Sequence, residues 1–323
     1  MLCAHRFTIA ALVAALPIVL AGARASADAG ANRFKLGKTH RLRVTHTTRV
    51  RVEAGTTALK VEQAKPLPHA FAGLKPPFGV ETVTFSPKGA ADVATVAPGG
   101  TSWTWTVDHP AEGVTDYVST FDVVTADHEL KTSGLALRWD DLPKDPAEAM
   151  KDLPPLPVAP ERLRDVVAQI RKKKNDLLDG VTAMAAWVRA HIAYTGGVAY
   201  GINDLDAILR GGAGHCGHRA TVFLALCQAA GIPARRVVGY ALENKDGLID
   251  GHEDANRHVW VEIDLPTLGW IEVEPAPAVT PFAIPFNYLL NPGDFQSCRV
   301  TGRKDGERSA PAFEDTLRMV ELK

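Results

Sequence analysis

A thiol, an imidazole and a carboxylate occur in this sequence in settings that suit nucleophilic catalysis. Cys216 stands in Gly-Gly-Ala-Gly-His-Cys-Gly-His, Gly211 to His218, and a helical run follows to Ala230. His258 opens the strand-like run His258-Val259-Trp260-Val261-Glu262, and Glu274 closes Gly269-Trp270-Ile271-Glu272-Val273-Glu274 just before Pro275. A Cys nucleophile needs a base to take its proton and a third group to orient that base, which together make a Cys-His-acid triad. Gly211, Gly212 and Gly214 allow a tight turn into a helix, so Cys216 is expected in the first helical turn. There the positive end of the helix dipole favours a thiolate, and the Cys216 backbone N–H is free to meet an oxyanion. Ala220, Phe223, Leu224 and Cys227 follow at helical spacing and predict the buried face of that helix. His258 is the expected base, and later the acid toward a leaving amine. Glu274 is the expected acceptor of the other imidazole N–H, brought near by the turn Pro266 to Gly269. Tyr194, at the end of the helix before the nucleophile region, is the candidate second oxyanion donor.

The same residues admit plainer readings. His215, Cys216 and His218 invite a metal, but consecutive residues on a helix do not face each other, and no fourth ligand is evident. No EF-hand loop and no CxxC spacing occurs, so neither a metal nor a cofactor is expected. Cys227 reads as a small buried hydrophobe. Trp260 and Trp270 read as packing walls, and Arg235 as a structural ion-pair partner.

Four blocks in order carry a family resemblance: Gly-His-Cys-Gly, Gly-Ile-Pro-Ala-Arg-Arg-Val-Val-Gly-Tyr from Gly231, His258 to Glu262, and Gly269 to Pro275. Together they resemble the core domain of the transglutaminase-like superfamily, over roughly Val181 to Pro277. The resemblance implies a papain-like fold and a Cys-His-Asp triad, onto which Cys216 and His258 map directly. Family members usually place Asp before the last proline, where this chain has Glu274. The extra methylene requires the imidazole contact to be re-aimed, and Glu is the third member in some hydrolases.

The elements that must position these residues are legible in outline. Leu42, Val44, Val50 and Val52 alternate with Arg41, Arg43, Arg49 and Arg51, a period of two; Trp103, Trp105 and Val107, then Tyr117, Ser119, Phe121 and Val123, do the same. Residues 28–140 are therefore expected to form an all-β sandwich whose tryptophans pack in its core. Residues 141–160 hold Pro143, Pro146, Pro154, Pro155, Pro157 and Pro160, a semi-rigid linker. Helices are predicted over Glu161 to Lys173, where Pro160 suits the first helical position, along the stripe Leu177, Val181, Met184, Val188 and Ile192, and over Asp204 to Leu209. Strands follow at Arg236 to Tyr240, His258 to Ile263 and Trp270 to Val273, with more toward Lys323. Helices before strands, without βαβ alternation, indicate an α+β fold: helices packed on an antiparallel sheet, residues 161–323, preceded by the sandwich.

At the N-terminus Arg6, the apolar run Thr8 to Gly22 and Ala25-Ser26-Ala27 read as a signal peptide over residues 1–27, too short for a comfortable membrane span. The protein is thus expected to be exported, periplasmic or secreted, and to meet a membrane only in transit. The formal net charge of -1 becomes -3 once Arg6 and Arg24 leave, which excludes a nucleic-acid-binding balance. Of the 4 Cys, Cys3 lies in the leader, and the odd remainder Cys216, Cys227 and Cys298 is no disulfide scaffold. The expected function is acyl transfer from protein or peptide amides through a Cys216 thioester. Hydrolysis is favoured over crosslinking because no feature marks a site that shields the thioester from water. The alternative is an envelope-binding module with an idle triad.

Overall fold

The computed structural model describes residues 33–66, 79–94, 101–151, 155–241, 243–244, 247–248, 250–251, 257–276, 280–284, 287–289 and 298–322. The expected leader, residues 1–27, lies outside them, as does Pro154 of the linker.

Alternation in the first strand decides the architecture of the N-terminal half. In β1 (Phe34–Val52) Leu42, Val44, Val50 and Val52 are buried while Arg41, Arg43, Arg49 and Arg51 face solvent. β1 pairs antiparallel with β6 (Gly113–Leu130) on one side and with β19 (Phe313–Glu321) on the other. β3 (Gly79–Ser86) and β15 (Ala283–Ile284) extend this sheet beyond β6, and β12 (Asp250–Gly251) extends it beyond β19. The second sheet runs β18 (Glu307–Ser309), β17 (Cys298–Lys304), β2 (Thr56–Ala64), β5 (Thr101–Asp108), β4 (Ala91–Ala94). Trp103 and Trp105 fill the space between the sheets against Phe121 and Tyr117, with ring centroids 4.9 Å and 5.6 Å apart. Both tryptophans are buried, as the pattern predicts.

Strand pairing at the C-terminus differs from the expected division, which assigned all of residues 161–323 to the catalytic domain. β17 pairs with β2 and β19 with β1, so the last strands complete the sandwich. The physical reason is burial. Leu317, Met319 and Val300 need an apolar cover, and β1 and β2 would otherwise present open edges.

The helical half holds α1 (Glu161–Lys173), α2 (Leu177–His191), α3 (Leu205–Gly211) and α4 (Cys216–Ala230). Pro160 takes the cap of α1, one position before its expected place. Asp176 caps α2 by accepting from the Leu178 and Asp179 N–H groups, and the stripe Leu177, Val181, Met184 and Val188 is buried. Between α2 and α4 lie two short parallel strands, β7 (Ala193–Tyr194) and β8 (Ala213–Gly214). The antiparallel sheet runs β14 (Gly269–Val273), β13 (Arg257–Leu265), β9 (Ala234–Ala241), β16 (Asn287–Leu289), and β10 (Glu243–Asn244) pairs with β11 (Gly247–Leu248) in a separate hairpin. This is the expected α+β arrangement.

The burial of α4 exceeds the single face predicted. Every residue from Cys216 to Cys227 is buried, because α1, α2 and α3 pack around the helix while β9 and β13 cover its other side. The small residues Gly217, Ala220, Thr221 and Ala225 let these neighbours close in. The Pro-rich segment also docks: Ala159 is buried and its N–H donates to the Gln228 side chain at 3.2 Å. One apolar core runs from α4 through the sheet to Phe34, Val124, Ala126 and Leu130 of β1 and β6, joining the two halves. No helix among the described residues is long and apolar enough to cross a membrane.

Candidate active site

Cys216 is the first residue of α4, and its surroundings fix it there. His215 caps the helix: its Nδ1 accepts from the Gly217 N–H at 3.2 Å. The His215 N–H in turn donates to His218 Nδ1 at 3.2 Å, while His218 Nε2 donates to the Tyr200 carbonyl at 3.1 Å. Gly214 holds φ +153°, and a Cβ there would come within 2.5 Å of His218, so the turn into the nucleophile requires glycine. The Cys216 Sγ lies 3.9 Å from His215 Nδ1. That nitrogen already accepts a backbone N–H, and burial first, then His218, hold the His215 pKa down. His215 is therefore a cap, not a base.

His258 lies in β13, and Glu274 directly follows the adjacent β14. His258 Nε2 is hydrogen-bonded to Glu274 Oε2, and the other carboxylate oxygen, Oε1, accepts from the Ala276 N–H at 2.8 Å. Glu274 is buried and the His258 side chain is 17% exposed, so the imidazole stands between an interior acid and the surface. With Nε2 taken, Nδ1 is left for the Cys216 thiol, which lies close enough to the ring to raise its pKa. Burial is the largest single effect on the His258 pKa and lowers it, but the Glu274 charge, the Glu274 hydrogen bond and the nearby Cys216 sulfur together more than offset it and bring the pKa up to about 10. The charged form of the imidazole is thus favoured beside the Cys216 sulfur, which suits a ring that holds the proton given up by the thiol.

Tyr194, the candidate oxyanion donor, lies beside Cys216. Pairing of β7 with β8 sets Tyr194 opposite Gly214, and its hydroxyl lies within hydrogen-bonding reach of the Cys216 backbone N–H. Its pKa is raised, first by burial of the hydroxyl and then by Cys216 and Glu274, so it remains a proton donor. The residue as a whole is 57% exposed, whereas Cys216 is buried.

Two supporting residues are not singled out by the sequence. Arg219 is buried, donates to the Ile192 carbonyl at 3.0 Å and to the Ala276 carbonyl at 2.7 Å, and lies over the Tyr194 ring. It therefore ties the segment bearing Tyr194 to the segment bearing Glu274. Behind His258, Trp260 lies nearly parallel to the imidazole at 5.9 Å, and its indole N–H donates to Glu272 at 2.8 Å. Glu272 pairs with His128 of β6 at 2.6 Å, a link from the sandwich to the back of the site. Arg219 bonds mainly to backbone carbonyls, and His128 lies far from Glu272 in sequence; neither pattern leaves a local signal. Trp260 and Trp270 are packing walls as read: Trp260 is fully buried, and Trp270 lies under Arg235, which pairs with Glu262 at 2.5 Å. Cys227 and Cys298 lie apart from this group; burial pushes both thiols up.

Part of this chain is similar to known proteins. Residues 164–275 match the core of the Transglutaminase-like superfamily. A relative from Bacillus subtilis (strain 168), "Uncharacterized protein YebA", is 30% identical over 133 residues, 38% of this chain and 18% of that protein. The chain thus spans less than a fifth of that relative's length. A solved structure from Cytophaga hutchinsonii, described as a "Putative Cysteine Protease", is 14% identical with a TM-score of 0.55, covering 90% of this chain and 93% of that one. The two share a fold through nearly their whole lengths. The periplasmic domain of TgpA from Pseudomonas aeruginosa is more distant, at 17% identity and a TM-score of 0.35 over 77% of this chain and 89% of that chain.

Proposed function

From a transglutaminase-like core over residues 164–275, we propose that this protein is a thiol-dependent acyl-transfer enzyme that hydrolyses protein or peptide amides. Cys216 Sγ attacks the amide carbonyl, His258 holds the thiol proton, and the oxyanion is met by the Cys216 N–H and the Tyr194 hydroxyl. His258 then gives its proton to the departing amine, leaving a thioester. His258 next takes a proton from water, hydroxide adds to the thioester, and the acid departs as the Cys216 thiol is restored. Glu274 keeps the imidazole oriented and stabilises its charge throughout.

The observation that carries this reading is the hydrogen-bonded His258–Glu274 pair beside a thiol at the start of a helix. Water is favoured over an amine as acceptor because Tyr194, the candidate oxyanion donor, is more than half exposed, so solvent reaches the edge of the proposed site. The reading places the protein outside the cytoplasm, on the strength of the leader in residues 1–27. The test is a peptide library incubated with the protein and an added primary amine, read by mass spectrometry. Cleaved peptides are the expected product. Amine-bearing peptides would move the assignment to crosslinking, and no product from any peptide would favour an idle binding module.

A further inference from the structure

Apart from the thiol site, the start of β9 borders a cavity of about 390 Å³ whose wall includes Leu156, Pro157, Asn203, Leu224, Arg235 and Arg236. The two arginines differ. Arg235 is neutralised: its Nε donates to Glu262 at 2.5 Å, its guanidinium lies over Trp270, and Asp264 is close enough to feel its charge. Among the described residues Arg236 has only neutral partners, Nη1 donating to Asn203 Oδ1 at 2.8 Å and Nη2 to Thr221 Oγ1 at 2.6 Å, and its buried Nε has no hydrogen-bond partner. Burial lowers its pKa, and no carboxylate among the described residues offsets that effect. A half-buried guanidinium without a counter-charge is costly, and buried charges in folded chains are ordinarily paired.

We propose that this cavity binds a carboxylate carried on an apolar body. Arg236 supplies the charge, and each Nη retains a second N–H for a fork-like contact with two carboxylate oxygens. Leu156, Pro157 and Leu224 supply the apolar wall, the usual makeup of a small-molecule site: mostly apolar, with a few polar anchors. One uncompensated positive charge matches a monoanion; a phosphate dianion would leave charge unpaired in an apolar setting. The carboxylate could be the C-terminus of a peptide or belong to a free organic acid.

The test is isothermal titration of the full chain carrying Cys216→Ala, so that failure here has no bearing on the acyl-transfer reading. The probes are N-acetyl-leucine, N-acetyl-leucinamide, inorganic phosphate and a hexapeptide ending in a free leucine carboxylate. N-acetyl-leucine should bind at least tenfold more tightly than its amide and than phosphate. Arg236→Gln should weaken that binding at least tenfold, and Arg236→Lys by less. Should Arg236→Gln not fold, Leu156→Trp, which fills the cavity from its rim and leaves the guanidinium intact, should abolish binding. Tighter binding of the hexapeptide would identify the source as a peptide terminus, and equal binding a free acid; both support the site. Equal affinity for acid and amide, preference for phosphate, no binding of any probe, or binding unchanged by Leu156→Trp would overturn it.

Discussion

At the residue scale, Glu274 fills the third place of the proposed triad through two contacts. Glu274 uses one oxygen for the Ala276 N–H and the other for His258. A side chain one methylene shorter cannot span both, so Glu274→Asp should lower kcat/KM at least tenfold on any substrate turned over. A rate equal to or above that of the unaltered protein would show that the site merely tolerates glutamate. The raised His258 pKa has a consequence for stability as well. A group whose pKa rises from about 6.5 unfolded to about 10 folded stabilises the fold fully below the first value and loses that contribution as pH climbs through the second. Urea unfolding should therefore show a larger gap between the unaltered protein and His258→Gln at pH 6 than at pH 10.5; a gap independent of pH would refute the charged pair. The thiol, imidazole and carboxylate were legible in the sequence because each sits in a block with a clear local structure. Arg219 was not, since nothing local distinguishes an arginine that will clamp two distant carbonyls.

At the element scale, the start of α4 does the positioning. Helix boundaries could be read from Asp204 and the glycines, because turns are local chemistry. The burial of α4 on all sides could not, since it depends on three helices and a sheet that the periodicity of one segment does not report. Gly214→Ala tests the turn. The added methyl meets His218 at 2.5 Å in a backbone conformation that only glycine adopts readily. Strain of this kind should cost about 1–3 kcal/mol in chemical denaturation and displace the His215 cap, with loss of activity. An alanine variant of unchanged midpoint and activity would mean that the turn does not hold the nucleophile.

At the scale of the whole molecule, the sandwich and the sheet that bears the candidate site form one continuous structure, joined by a shared apolar core and by the His128–Glu272 pair. The sandwich class was legible from two-residue alternation, but its completion by β17 and β19 was not, because alternation identifies a strand without naming its partner. Deleting residues 298–323 should expose the edges of β1 and β2. The truncated chain should unfold at a clearly lower temperature or aggregate in size-exclusion chromatography, and an unchanged melting midpoint would contradict the pairing. The central claim is that Cys216, activated by His258, forms the covalent intermediate. Intact-mass measurement of the full chain, acid-quenched after exposure to a peptide thioester donor and followed by peptide mapping, tests it most directly. The account predicts one acyl adduct per chain on Cys216, absent in Cys216→Ala and strongly slowed in His258→Ala. An adduct on Cys227 or Cys298, or acylation that proceeds equally fast without His258, would contradict it.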